Sequence, residues 1–580
     1  MVTVIMSIFH ERRAQRVNGI LRWPFKITGL PKFLGGLNLV VSSRENLVPQ
    51  RSCVAALTLS VLLLSVAGVS AANNWYVVPG GAGNKGGTAW TNAWDVSSIS
   101  WSSVGAGDTI WLAGGTYSNT LAVGKSGSAG SPIYIKRVLA SDHAPTNSPG
   151  WSSSFDSRVI LPSISDPSYS YIDVDGRISY GIQVKIPSDG GAGITLENTS
   201  TVTQENSVNF YNMEVLGIYA NSNASYEVDG FVATYQNSSY VNSIISNCWM
   251  HGLGCGIHSQ NWSNIIVDHC IIADLAPDGR QHVDIDFHYP SPLMFYRSCI
   301  FSNTYADGIY TQYGTGETWI YNCVFYTVNV MVSLGEPGKP GGCGPFYVIN
   351  NTFYSPSTSA YGYVKDDGTN VLNYNNVYYN TIYGNAGTDP SLDGYNAYNS
   401  WSYSGYSEPA SEVGFVGNIT SSAFVNLSGG DFNLKTNSVL IGKGTNLTAL
   451  ANSRGFNINI DFNGNPRPAT GNWDIGAYEY SGSVSSTNLA PPAPQGLLAR
   501  MSLNITNYAS LMIRASGIAT NWASSLHFNF GDGGYTDFGN TNVASTIHTY
   551  ASPGIYTVTL IASNNVSAIS SISQVTTVTQ

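Results

Sequence analysis

Charged side chains are scarce in this chain of 580 residues, since Asp, Glu, Lys and Arg together make up only 10% of it. Basic residues are the rarer sign, 25 against 35 acidic, so the formal net charge is −10. We therefore expect no nucleic-acid partner, because nucleic-acid binding requires clustered positive charge. Helix signals are also few, whereas Gly (61) and Tyr (36) are abundant. This composition suits stacked strands that are joined by tight, uncharged turns.

The apolar run at residues 53–66 is too short to span a membrane. It has about 14 residues, where a membrane helix needs roughly 20, and it follows Arg44 and Arg51. The small residues Val69-Ser70-Ala71 come next, so residues 1–72 are interpreted as a leader with a signal peptide cleaved near Ala71. We expect a secreted protein, extracellular or at the cell surface, with no transmembrane segment in the mature chain. That mature chain has 17 basic and 33 acidic residues, a net charge of about −16.

Six similar segments repeat between residues 245 and 378, at spacings of 22, 29, 24, 28 and 25 residues. Each contains one residue that superimposes on its counterparts, a position that we call the rung: Cys248, Cys270, Cys299, Cys323, Asn351 and Asn376. Periods of this size indicate a solenoid. Together with short β-rich runs and many Asn, Gly and Ser residues, they predict a right-handed parallel β-helix.

The rung position also bears on the cysteines. Seven are present, and six remain once Cys53 leaves with the leader. A secreted protein allows disulfides, but side chains one coil apart stand parallel, so stacked buried thiols are favoured for the four rung cysteines. Cys255 and Cys343 either pair or stay free.

Four parts are predicted along the chain: the leader (1–72), the β-helix (73–480), a linker (481–496) and a small β-sandwich (497–580). The stretches Gly107-Asp-Thr-Ile-Trp-Leu-Ala-Gly-Gly-Thr-Tyr117 and Gly127-Ser-Ala-Gly-Ser-Pro-Ile-Tyr-Ile-Lys136 alternate apolar and polar residues between Gly-rich turns. They resemble the opening coils of secreted, pectate-lyase-like right-handed β-helix proteins, especially polysaccharide lyases of the chondroitinase B and alginate lyase type. This opening is shared by proteins of many activities, so the resemblance implies the fold more than the reaction.

Residues 424–480 resemble the closing segment of bacterial secreted β-helix proteins. The spacing of Asp461, Asn463 and Asn465 is similar to a calcium loop, but no acidic residue completes an EF-hand pattern. A structural turn is therefore favoured.

The last 80 residues or so contain Phe528-Asn-Phe-Gly-Asp-Gly533 and His548-Thr-Tyr-Ala-Ser-Pro-Gly-Ile-Tyr-Thr-Val-Thr-Leu560. They resemble a PKD-type immunoglobulin-like module, with Phe528 and Asn529 in place of the usual Trp-Asp. His527 and His548 are predicted to stabilise strand ends.

Five of the nine histidines fall between His251 and His288, in the middle of the repeat. Aligning the strands that follow the rungs by Ile257, Ile285 and Ile309 places His258 and Tyr310 on either side of Asp286. The same alignment places Gln260 and Gln312 beside His288, and Gly256 and Gly308 beside Asp284. Because side chains alternate along a strand, one outward row is predicted, formed by Arg280, His282, Asp284, Asp286 and His288. His251 and His269 are interpreted as turn or core residues.

Three functions are compatible with this row. In a β-eliminating lyase acting on a uronate polysaccharide, His258 or His288 is the base and Tyr310 the acid. Gln260, Gln312 or Arg280 then steadies the carboxylate, with His282 close by, and a divalent cation such as calcium is held by Asp284 and Asp286. In an inverting glycoside hydrolase, Asp284 and Asp286 form the carboxylate pair, with roots on the order of 6.6 Å apart. A third possibility is a non-catalytic carbohydrate-binding or adhesion protein.

Lyases resembling chondroitinase B use a Lys base with a nearby Arg, and no Lys occurs between Lys185 and Lys339. The catalytic Lys and Arg of those lyases therefore cannot be assigned to residues of the central coils. A lyase in which His and Tyr carry the elimination stays the leading prediction, with a polysaccharide as the partner and a monomeric protein.

Overall fold

The computed structural model describes these ranges of the chain: residues 15–17, 20–22, 72–188, 190–196, 205–218, 228–233, 240–260, 262–275, 284, 286–288, 291–311, 316–334, 344–356, 361–366, 371–381, 393–399, 412–450, 458–481, 500–509, 511–520, 525–539, 543–563 and 569–579. The chain divides into two compact units, Met1–Ser70 and Ala71–Gln580. In the first unit, the described strands Gln15–Val17 and Ile20–Arg22 pair antiparallel. No helix within the described ranges is long and apolar enough to cross a membrane.

Three stacks of parallel strands form the body of the second unit. Sheet 1 consists of Asn74–Val77, Thr109–Leu112, Ile133–Arg137, Ile172–Asp175, Val208–Tyr211, Ile244–Ser246, Trp262–Asp268, Leu293–Arg297, Glu317–Tyr321, Phe346–Ile349, Val371–Tyr374 and Asp393–Gly394, with Glu205–Asn206 and Tyr240–Val241 at its margin. Sheet 2 consists of Gly115–Thr116, Val159–Leu161, Ile182–Lys185, Met213–Leu216, Trp249–His251, Ile271–Leu275, Thr352–Tyr354, Val377–Tyr379 and Ala397–Tyr398. Sheet 3 consists of Leu121–Ala122, Ile164–Ser165, Ala192–Thr195, Asp229–Ala233, Cys255–Ser259, Asp286–His288 and Tyr361–Asp366.

Two long strands, Ile300–Thr311 and Val324–Leu334, run through both sheet 2 and sheet 3. Because successive coils add parallel strands to the same stacks, the predicted parallel β-helix is confirmed. Helical turns in the described part are short: His143–Thr146 is an α-helix, and the 3₁₀ turns are Trp90–Asn92, Val96–Ser98, Ser153–Phe155, Ser421–Ala423 and Leu427–Gly429.

The rung position is the turn that joins sheet 1 to sheet 2. All six rung side chains are buried. The residue before each rung has a positive φ, between 49° and 60°: Asn247, His269, Ser298, Asn322, Asn350 and Asn375. Asn adopts this left-handed conformation more readily than most residues, which explains why Asn precedes the rung in four of the six coils.

The first four rungs form a stack of thiols. Each cysteine sulfur lies near a backbone carbonyl of the preceding coil, for example Cys270 Sγ at 3.3 Å from the Ile245 oxygen and Cys299 Sγ at 3.4 Å from the Val267 oxygen. Cys248, Cys270, Cys299 and Cys323 are all free and buried. The prediction of buried free thiols is thus confirmed for these four rungs. Cys255 is also buried, whereas Cys343 lies outside the described residues.

The next rungs form a stack of amides that ends on a carboxyl group. Asn351 Nδ2 donates to Asn376 Oδ1 at 3.0 Å, and Asn376 Nδ2 donates to the following Asn396 at 3.3 Å. The Asn396 backbone N–H then donates to Glu412 Oε1 at 2.9 Å. Burial raises the pKa of Glu412 to about 7, so this carboxyl group retains a proton in mildly acidic solution.

The segment after residue 412 covers the outer faces of the later coils. Against sheet 2, its Phe424, Leu434 and Ile475 pack with Ile300 and Val324. Against sheet 1, Ile458 and Trp473 pack with Phe295, Trp319 and Tyr347. The predicted closing segment therefore buries apolar side chains that the outward columns of two sheets would otherwise expose.

Arg467 links the closing segment to the turns that precede the rungs. Its side chain is buried, with Nη1 at 2.8 Å from Glu479 Oε2 and Nη2 at 3.0 Å from Asn322 Oδ1. Nearby, Asp461 accepts hydrogen bonds from the backbone N–H groups of Asn465 (2.7 Å) and Glu479 (2.9 Å). Asp461 thus closes a structural turn, as predicted.

The C-terminal module has two antiparallel sheets. Arg500–Ala509, Met512–Thr520 and Val543–Thr549 form one; Tyr535–Gly539, Ser525–Asn529, Gly554–Ser563 and Ile569–Val578 form the other. Its core contains Phe528, Phe530 and Tyr550. His548 Nε2 lies 2.8 Å from Asp532 Oδ2, which ties the Gly-Asp-Gly turn to a neighbouring strand, so the predicted immunoglobulin-like sandwich is confirmed.

We expect Asn376→Ala to lower the free energy of unfolding by about 3 kcal/mol, because it leaves buried amide groups of Asn351 and Asn396 without their partner. The measurement is the melting temperature, compared with that of Asn463→Ala, whose side chain is exposed. Equal melting temperatures for the two variants would show that the amide stack does not stabilise the coils.

The raised pKa of Glu412 predicts a pH-dependent stability. Its folded-state pKa lies above the unfolded value of about 4.5, so its contribution is complete at low pH and is lost as the pH rises through about 7. We expect Glu412→Gln to melt at a higher temperature than the natural protein at pH 8.5, with a smaller difference at pH 5. An identical difference at both pH values would contradict a protonated Glu412.

Candidate active site on the outer face of sheet 3

His258 and Tyr310 lie in one outward row of sheet 3. Their neighbours Ile257 and Ile309 are completely buried, whereas the side chains of His258 and Tyr310 are partly exposed. Because side chains alternate along a strand, both point away from the core. One strand, Asp286–His288, separates the two strands that carry them, so their backbones lie about 9.6 Å apart, two strand spacings.

The predicted register of the intervening strand is wrong by one residue. Asp286 pairs with Ile257 and Ile309, and Phe287 occupies the place between His258 and Tyr310. The apolar pattern of Val283, Ile285 and Phe287 defines a period of two but does not decide which neighbours these residues face. A shift of one residue moves every side chain to the other face of a sheet.

The same shift separates His288 from its predicted neighbour Gln260. His288 pairs with Ser259 and Thr311, both fully buried. The side chains of Asp286 and His288 lie outside the described residues. Gln260 follows the strand and is partly exposed, and its backbone N–H donates to the Ala233 carbonyl at 2.7 Å.

Asp284 does not face outward as predicted. Only 1% of its surface is exposed, and its backbone carbonyl accepts a hydrogen bond from the Gly256 N–H at 3.0 Å. Asp284 therefore does not present an exposed carboxylate between Gly256 and Gly308, where the sequence alignment placed it. The other predicted members of the row, Arg280, His282 and Gln312, lie outside the described residues.

A carboxylate that the sequence reasoning missed lies beside His258. Asp229, in the strand one coil earlier, places its Oδ2 at 3.7 Å from His258 Nδ1, and only 7% of its surface is exposed. The sequence carried a signal for it, since Asp229-Gly-Phe has the same pattern as Asp307-Gly-Ile and Cys255-Gly-Ile. The Asp229 carboxylate thus faces Nδ1 of the imidazole, whereas Nε2 is buried.

The outward row also continues beyond Tyr310. Ser333 pairs with Tyr310 on one side and with Lys365 on the other. The sequence pattern did not indicate Lys365, because this residue lies beyond the coils that form the predicted row. The strand pairing brings its position into the row of His258, two strands beyond Tyr310.

No cluster of three or more His, Cys, Asp or Glu side chains within the described part of the chain is placed to hold a metal ion. Of the two predicted calcium ligands, Asp284 is buried, and the side chain of Asp286 lies outside the described residues. Calcium at this site stays a prediction.

His251, interpreted from the sequence as a turn or core residue, is a core residue. It lies on sheet 2 with 4% of its surface exposed, and its Nε2 is 2.8 Å from Glu214 Oε1. Glu214 also forms an ion pair with Arg158. These contacts with His251 and Arg158 balance the negative charge of Glu214, which is buried among largely apolar side chains.

Comparisons with known proteins found one family model and several solved structures. The PKD domain family model matches residues 484–577. Three solved structures resemble the chain at low identity: "Crystal structure of pectate lyase Pel9A" (18% identity, 72% of this chain, 98% of that chain, TM-score 0.39), "Rhamnogalacturonan lyase" (12%, 61%, 91%, 0.39) and "The complex structure of XylC with xylose" (11%, 70%, 98%, 0.41). No curated protein matches the chain significantly in sequence.

The parallel β-helix itself is established by the strand pairings described above. The chain therefore consists of a parallel β-helix followed by a region that matches the PKD domain family.

Proposed function

We propose that the protein is a secreted β-eliminating lyase that acts on a uronate-containing polysaccharide at the outer face of sheet 3. The observation that supports it is the shared outward row of His258 and Tyr310, with Asp229 beside the imidazole. An imidazole and a phenol on a rigid sheet are suited to proton transfer on either side of a bound sugar. Secretion rests on the apolar run and small residues at 53–71 of the sequence.

In this mechanism the unprotonated imidazole of His258 removes the proton α to the uronate carboxyl group. The electron pair of that C–H bond forms the new C=C bond, and the glycosidic C–O bond on the next carbon breaks. Tyr310 donates its phenolic proton to the leaving oxygen. Asp229 stabilises the imidazolium ion that forms on His258, since opposite charges at this distance attract.

The carboxyl group of the substrate must be neutralised, because the carbon acid is otherwise very weak. Gln260, Arg280 and Gln312 stay the proposed partners of this group, with His282 nearby, and a divalent cation such as calcium would add positive charge. Lys365 extends the same row and joins these candidates.

The two other functions predict different products. A hydrolase needs Asp284 and Asp286 at the surface, and the burial of Asp284 does not favour it. A binding protein would use the same face without cleavage. One assay of the products therefore distinguishes these two functions from the lyase.

The assay incubates the purified chain with uronate and neutral polysaccharides, and measures the absorbance of unsaturated ends separately from reducing ends. We expect absorbance to rise with a uronate polymer and to require His258 and Tyr310. His258→Gln and Tyr310→Phe should each lower the rate by roughly 10²- to 10⁴-fold, the usual contribution of a general base or acid. Melting temperatures confirm that each variant folds.

His143→Gln is the matched control, because His143 is an exposed residue in a short helix outside sheet 3. Reducing ends without absorbance would indicate a hydrolase, and binding without products an adhesion protein. Retained activity in both His258→Gln and Tyr310→Phe would refute the site. Adding EDTA and then calcium tests the cation.

A further inference from the structure

His269 is the one ionisable residue among the six that precede the described rungs. Asn322 and Asn375 at this position bond to the closing segment, through the Ile460 and Thr445 carbonyls. His269 lies two coils before Asn322, and 49% of its side chain is exposed. It is therefore a turn residue, as the sequence suggested, but one that presents an imidazole to solvent.

The neighbouring residue orients this imidazole. His269 Nδ1 lies 2.7 Å from Asp268 Oδ1, which directs Nε2 away from the carboxylate. The hydrogen bond to Asp268 raises the pKa of His269, although partial burial opposes the shift. Burial also disfavours the charged form of Asp268, but the hydrogen bonds from His269 and Arg297 hold its pKa at about 2.

Arg297 joins the pair from the next coil of sheet 1. Its Nε donates to the same Asp268 Oδ1 at 2.6 Å, and its Nη2 donates to Oδ2 at 3.1 Å. Because His269 and Arg297 bond to one shared oxygen, the two cationic groups lie side by side. About a third of the Arg297 side chain is exposed.

The charge of this group is positive when His269 is protonated, since two cations face one carboxylate. The other groups that face it do not cancel this charge. The phenol of Tyr321 is neutral because burial raises its pKa, Ser246 Oγ donates to Asp268 Oδ2 at 3.3 Å, and the Cys270 thiol is buried. In a chain with a net charge of −10, such an exposed positive site is unusual.

We propose that His269 and Arg297 form a second carbohydrate-binding site, on sheet 1, which takes the carboxylate of a uronate residue. An imidazolium and a guanidinium that share one protein carboxylate have the charge and the donors to bind a second carboxylate from outside. The site lies on a different sheet from His258 and Tyr310, so it holds a separate part of an acidic polymer. It shares its ligand class with the proposed lyase function.

His269→Asn tests the site with little disturbance, because Asn occupies the same turn position in four of the six coils. Titration calorimetry on the full chain would use a trimer of galacturonic acid, with a neutral galactose trimer as the control ligand. We expect the variant to keep its melting temperature and to bind the acidic trimer at this site roughly tenfold more weakly, the loss of one charge-assisted hydrogen bond. The neutral trimer should not distinguish the two proteins.

The pH dependence provides a second readout. Binding by the natural protein should weaken from pH 5.5 to pH 8.5 as His269 loses its proton, whereas binding by His269→Asn should change less. Equal affinity and equal pH dependence in both proteins would overturn the proposal. Equally tight binding of a sulfated neutral trimer would overturn the carboxylate assignment in favour of an unselective anion site.

The failures of the two proposals can be told apart. The calorimetric assay does not depend on cleavage, so loss of binding in His269→Asn would stand even if no polysaccharide is cut. Conversely, cleavage that requires His258 would stand if His269→Asn binds normally.

Discussion

Parallel hydrogen bonding between successive coils is the constraint on which the rest of this structure depends. Neighbouring strands lie about 4.8 Å apart, so each coil must turn at the same place as the coil below it. A left-handed residue before each rung supplies that turn. The rung side chain is then enclosed between the rungs of the coils above and below: thiols stack in the first four described rungs, and amides in the next.

When the coils stack, the outward side chains of each sheet form columns. These columns are either covered by another segment or available for function. The closing segment covers the later coils of sheets 1 and 2 with apolar side chains, and Arg467 ties it to the turns through Asn322. Polar outward groups lie elsewhere, in the row of His258 and Tyr310 on sheet 3 and in the group of Asp268, His269 and Arg297 on sheet 1. A solenoid in this way separates surfaces that stabilise the fold from surfaces that are able to meet a long polymer.

Both polar surfaces have a carboxylate beside an imidazole, but the two environments differ. Asp229 is buried and lies 3.7 Å from an imidazole that is itself mostly covered. Asp268 is shared by His269 and Arg297, and the imidazole is half exposed. The two arrangements thus differ in burial and in the number of cations around the carboxylate, and the two proposed roles rest on this difference.

The sequence by itself determined the fold and the rung positions. The turn before each rung requires a residue that tolerates a positive φ, and the rung that follows this residue must be buried. That requirement repeats at each coil, so it is visible as a period. It also placed His258 and Tyr310 on one row. The register of Asp286 was decided only by the tertiary structure, because a period-two pattern fits either face and the preceding loop can be of any length. Asp229, Lys365 and Arg297 likewise acquire their neighbours only when coils stack, since those neighbours lie between 28 and 55 residues away in the chain.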